Sequence, residues 1–146
     1  MNKLFAVALA FTAGILTSIQ PAINAALGQH TGVFEAALIS FLVGLALLSV
    51  IIAVRRKGNI LAARGLPLVY FTGGLMGVVA VSTMIVVIPQ VGSGIGMITI
   101  LSGQMLMAAL IDAFGLLGVE RIPIGLNRIA GLILLFVSMG LIIGRI

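Results

Sequence analysis

Thr17, Gln20 and Asn24 recur at steps of three and four residues, the spacing that places side chains on one face of a helix. One hydroxyl and two amides in a single stripe offer neutral donors and acceptors, chemistry suited to holding a polar solute. Ala13 and Gly28 extend the stripe, and Pro21 lies inside it, where it frees a backbone carbonyl and bends the helix. Two readings stand side by side: the stripe lines a site, or it is glue between membrane helices, a common use of Asn and Gln. The stretch Gly92 to Gly118, GSGIGMITILSGQMLMAALIDAFGLLG, supplies a second set in Ser93, Ser102, Gln104 and Asp112. Lipid does not hydrogen-bond, so polar groups in a run of membrane length must face protein, water or a substrate. Gln104 lies about 18 Å of helix rise from Gly92 at ~1.5 Å per residue, near the depth where transported solutes are held. An interhelical hydrogen bond is the alternative. Gly92, Gly94, Gly96 and Gly103 remove bulk and let a neighbouring helix or ligand approach the backbone.

The few charges divide in the same way. Asp112 precedes the inner end of its run by about five residues, and Arg128 lies about four residues into the next apolar run, so the two share a depth. A structural ion pair follows; the functional alternative is that Asp112 takes up protons or that the pair gates the inner mouth. Glu35 stands in the first turn of an apolar run, where an acid suits a helix N-terminus. Its functional reading is an acid at the outer mouth, near Asn24 and Gln20.

Other chemistries are disfavoured. The chain has no cysteine and one histidine, His30, so neither a disulfide framework nor a metal cluster is expected. No His/Glu/Asp group has ligand spacing, no serine has a nearby base, and no phosphate loop is present. We expect no enzyme, no metal and no cofactor.

The elements that position these residues follow from composition. Of 146 residues, 62% are hydrophobic and 8% charged, whereas a soluble domain runs near a quarter charged. The chain is an all-α integral membrane protein by this measure. A crossing takes about 20 residues, and five segments qualify, at about 4–27, 33–54, 67–88, 92–117 and 124–144, in a single membrane domain over residues 1–146. The start resembles a signal peptide, but its apolar run continues to about Leu27, and no convincing small-x-small cleavage site follows it. Gly28 to Gly32 reads as the first turn, Pro67 as an opening helical residue, and Pro89 as the end of the third helix. Gly73-x-x-x-Gly77 and Gly140-x-x-x-Gly144 are small-residue motifs for close packing, the latter a candidate dimer contact.

The net charge of +5 is a topology signal and not a nucleic-acid footprint. Lys3, Arg55, Arg56, Lys57, Arg64, Arg121 and Arg128 fall on the side of the N-terminus, and Arg145 alone on the other. The positive-inside rule then puts the N-terminus in the cytoplasm and the C-terminus outside. Alternating access is commonly built from two inverted repeats, yet five helices contain no convincing internal repeat. A transporter of this kind needs an oppositely oriented second subunit, a copy of the chain or a paralogue.

Pro21-x-x-Asn24, Phe41-x-x-Gly44, Gly73-Gly74-x-x-Gly77, Gly103-Gln104, Ile111-Asp112-x-Phe114-Gly115 and Arg128-x-x-Gly131, in this order along the whole chain, resemble the YdcZ-type branch of the drug/metabolite transporter superfamily. The resemblance implies a bacterial inner-membrane protein of five helices that works as an antiparallel dimer and moves a small metabolite or drug. It does not supply the substrate. The strong charge bias departs from a strictly dual-topology member and favours a paired partner. Small multidrug exporters are similar in scheme but use four helices and a glutamate in the middle of the first; here that helix offers neutral Gln20 and Asn24, which suits a neutral or anionic solute. The expected reading is therefore a transporter with Gln20, Asn24, Gln104, Thr17 and Ser93 at substrate, and Glu35, Asp112 or Arg128 in coupling or gating. A non-transporting membrane scaffold or regulatory subunit is the alternative, and a passive channel a third.

Overall fold

The computed structural model describes residues 2–55 and 58–144, and every long element in it is a helix. Arg56, Lys57 and Arg145, three members of the charge pattern, lie outside the described residues. In order, α1 spans Lys3–Thr31, α2 Val33–Arg55, α3 Thr72–Val91, α4 Ser93–Phe114 and α5 Leu126–Ile143. Short 3-10 turns occupy Ile60–Ala63, Leu68–Phe71 and Leu116–Gly118. Five helices are long and apolar enough to cross a membrane, and among the described residues there is no strand. α2 is the most apolar span, while α1 and α4 are the least.

The helix ends follow local chemistry. Asn2 caps α1, its side-chain oxygen accepting from the Leu4 N–H at 3.2 Å. At its far end α1 runs through Gly28, Gln29 and His30, which the sequence places in a turn, and stops at Thr31. The reason lies in Gly32: its φ of 103° is open to glycine, and its N–H donates back to the Gly28 carbonyl at 3.0 Å. One glycine therefore does the work expected of five residues. Gly92, φ 82°, separates α3 from α4 in the same manner. Pro89 does not end α3, which continues to Val91; a proline costs only one backbone bond in a last turn that other groups can satisfy. Pro67 precedes a 3-10 turn, and α3 proper starts at Thr72.

The chain forms two compact units, one up to Gln90 and one from Val91. In the first, α1 packs on α2, and α1 meets α3 at Gly28. A methyl added to Gly28 would lie 2.5 Å from Ile85 Cγ2 and 3.8 Å from Ala36 Cβ. Ala36, Ala37 and Ile85 are buried together, with Leu27, Val33 and Val81 packed around them. Further along, the Phe41 ring covers Gly77, 3.5 Å from where a Cβ would be. Going from Ala36 to Phe41 on α2 means going from Ile85 back to Gly77 on α3, so these helices are antiparallel and α3 runs parallel to α1. Glycine here permits close packing of helices without a hydrophobic driving force between them. Gly73 and Gly140 meet no neighbouring side chain within 4 Å.

In the second unit, α4 packs on α5. Gly115 ends α4 in the left-handed conformation, φ 65°, and its N–H donates to the Ile111 carbonyl. The connection then folds back. Ile122 N–H donates to the Asp112 carbonyl at 2.9 Å, and Arg121 Nε donates to the Ala113 carbonyl at 2.9 Å.

Candidate functional site

Most hydroxyls in the spans are satisfied by their own helix. Thr12, Ser18, Ser49, Thr83 and Ser102 each donate to the carbonyl four residues earlier, at 2.7 to 3.0 Å. Thr17 donates to the Gly14 carbonyl at 3.0 Å. Such bonds remove the need for any outside partner. The expected role of Thr17 at substrate thus falls on a side chain that already has an acceptor.

Glutamine and asparagine have no equivalent escape, because their amides carry two donors and an acceptor. Gln20 and Gln104 are exposed on α1 and α4, and neither makes a hydrogen bond among the described residues. Asn24 is different: it is 5% exposed and buried beside the three-helix junction, again with no hydrogen bond among the described residues. Pro21, half-buried one turn before it, has no N–H to offer the Thr17 carbonyl.

Ser82 joins Asn24, and nothing in the sequence distinguished it. Its Oγ is buried without a partner, unlike the hydroxyls above. Ile85 touches Gly28, and α1 and α3 run parallel. Ser82 is three residues before Ile85 and Asn24 four before Gly28, about 4.5 and 6 Å back along the two axes at ~1.5 Å per residue. The Asn24 amide and the Ser82 hydroxyl therefore sit at one level of the first unit. The Ser82 Oγ is fully buried without a partner, a rarity in folded proteins that calls for a physical reason.

Glu35 lies over the start of α2: its carboxylate fills the space a side chain on Gly32 would take. There it faces the N-terminal end of the helix dipole. Ser93 is the exposed first residue of α4.

Asp112 and Arg128 are joined in the second unit, Arg128 Nη2 donating to Asp112 Oδ2. Their side chains are 23% and 31% exposed, so neither charge is sealed from its surroundings. Asp112 is two residues from the last residue of α4, where the helix dipole repels an anion. Arg128 offsets both that repulsion and the cost of placing a carboxylate in an apolar span.

Among the described residues no group of three or more His, Cys, Asp or Glu could hold a metal ion. The polar residues thus fall into two sets. Gln20, Asn24 and Ser82 belong to the first unit, and Gln104, Asp112 and Arg128 to the second.

A family model described as "Putative inner membrane exporter, YdcZ" matches residues 5–141. No curated protein and no solved structure matches the chain.

Proposed function

Because the chain belongs to the YdcZ family and is a multi-pass inner-membrane protein, we propose that it exports a small metabolite or drug by alternating access, as a drug/metabolite-type transporter. The observation that supports this most is the pair of exposed, unpartnered amides at Gln20 and Gln104. In lipid each would forfeit hydrogen bonds worth about 1–2 kcal/mol or more. A polar pathway or a second subunit relieves that cost. Gln20, Asn24, Gln104, Thr17 and Ser93 bind the solute in this reading, with Ser82 added at the level of Asn24 in the first unit. Glu35, Asp112 and Arg128 are the titratable or gating groups. The solute is neutral or anionic, because the polar groups assigned to it are amides and hydroxyls.

The functional assembly is an antiparallel dimer, with a copy of the chain or a paralogue as the inverted subunit. No more than 17% of the apolar window of any span is buried within one chain, which leaves helix surface for that subunit. The N-terminus is cytoplasmic on the positive-inside rule. Lys3→Cys and Arg145→Cys labelling from each side of the membrane tests the arrangement. A complex in which every subunit, including any paralogue, has one orientation rules out the inverted dimer.

Membrane scaffolding is the competing reading, and stability separates the two. If Asn24 and Ser82 bind solute, Ser82→Ala leaves folding within about 0.5 kcal/mol of wild type, because no hydrogen bond is lost, while transport falls. Flux in proteoliposomes, screened over neutral and anionic metabolites, measures the second quantity. Unchanged flux of an identified substrate in Gln20→Ala, Asn24→Ala and Gln104→Ala defeats the site assignment. A large loss of stability in all of them, with no substrate found, favours scaffolding.

A further inference from the structure

On α5 an apolar groove of 530 Å³ is lined by Ile124, Ile129, Leu132, Ile133, Phe136 and Val137. Its helical part runs from Ile129 to Val137. That stretch rises about 12 Å at ~1.5 Å per residue, most of the ~15 Å depth of one leaflet. Ile124 carries the lining into the α4–α5 connection.

That connection carries a cation. Arg121, three residues before Ile124, is exposed. Its Nε is committed to the Ala113 carbonyl, which fixes the root of the guanidinium against the C-terminal end of α4. Its terminal nitrogens have no partner among the described residues. Arg128 is neutralised by Asp112, and Glu120, adjacent to Arg121, makes no ion pair among the described residues. A guanidinium held this way presents a planar donor fork suited to a phosphate, three residues along the chain from Ile124, the first lining residue of the groove. We infer that this face of α5 is a site for an anionic phospholipid, its phosphate on Arg121 and one acyl chain along Ile124 to Val137.

The charge and the groove make separate contributions, so they are tested separately. Detergent-solubilised full-length protein is mixed with equal amounts of dioleoylphosphatidylglycerol and dioleoylphosphatidylcholine and examined by native mass spectrometry. The anionic lipid is retained about fivefold in preference, the effect of one basic residue near an anionic headgroup. Arg121→Gln removes the preference, Arg121→Lys keeps most of it, and Glu120→Gln raises it. Ile133→Trp fills the groove and lowers retention of both lipids at unchanged melting temperature. Equal retention by the wild type overturns the inference, as does a preference that survives Arg121→Gln. If Ile133→Trp instead converts a dimer to monomers with lipid retention intact, the groove belongs to a second copy of the chain and the lipid site is wrong. None of these outcomes depends on whether the protein transports a solute.

Discussion

Removing the Arg128 side chain, as Arg128→Ala, is expected to destabilise the protein by about 2–3 kcal/mol. The loss comes less from the bond itself than from what it leaves behind. Asp112 would then hold a carboxylate at the carbonyl end of α4, partly buried in an apolar span. Arg121 does not take over, since its Nε is used on the Ala113 carbonyl and holds the α4–α5 connection. Asp112→Ala leaves the converse orphan, a guanidinium that can reach toward the membrane boundary, so its cost is lower, about 1–2 kcal/mol. The double variant Asp112→Asn, Arg128→Gln removes both charges and is expected within about 1 kcal/mol of wild type. Denaturant unfolding in detergent reads all three. Single variants as stable as wild type would mean that the pair contributes nothing to folding, and its gating role would then become the better account.

A comparable effect is expected at Gly28. Gly28→Val places two methyl groups where Ile85 already lies, since even the first carbon comes within 2.5 Å of Ile85 Cγ2. Overpacking a tight core costs about 1–3 kcal/mol, and here the backbone of α1 has no slack on the Ala36 side either, at 3.8 Å. Ile85→Ala alone leaves a cavity and costs about 2 kcal/mol or more. Combined, Gly28→Ala and Ile85→Ala should cost less than the sum of the two single changes, because the new methyl enters the space the isoleucine vacates. Strictly additive losses would show that the two residues do not touch. The comparison also bears on Asn24, which lies one turn from Gly28 on the same face. Any solute contact at Asn24 depends on that seat.

The spans were readable from the sequence because apolar length alone decides them: α2 begins at Val33 as expected and ends one residue past Val54. The pairing of Asp112 with Arg128 was readable because two opposite charges at one depth in lipid have few other ways to be neutralised. What the sequence hid was set by backbone geometry and by neighbours distant in the chain. Nothing in Gly28-Gln29-His30-Thr31-Gly32 says that Gly32 alone makes the turn; two glycines and three polar residues in a row look like a loop. Nor does a serine in VAVSTMIV announce that its hydroxyl stays without a partner while that of Thr83, the next residue, bonds to Val79. Ser82 became visible only through the atoms around it. The glycine motifs divided likewise: Gly77 meets Phe41, whereas Gly73 four residues earlier meets no side chain, because a motif records where bulk is absent and not what fills the space.

The uneven apolarity of the five spans has a consequence for biogenesis. α2, the most apolar span, can partition from the translocon into lipid unaided, and so can fix the chain in the bilayer early. α1 and α4 are the least apolar spans, and they carry Gln20, Asn24 and Gln104. Their amides make these helices the weakest inserters. α1 therefore depends on the arrival of α2 and α3, and α4 on the arrival of α5. The order of synthesis supplies those companions immediately after each weak span, so each poorly inserting helix waits only as long as the ribosome needs to deliver its neighbour.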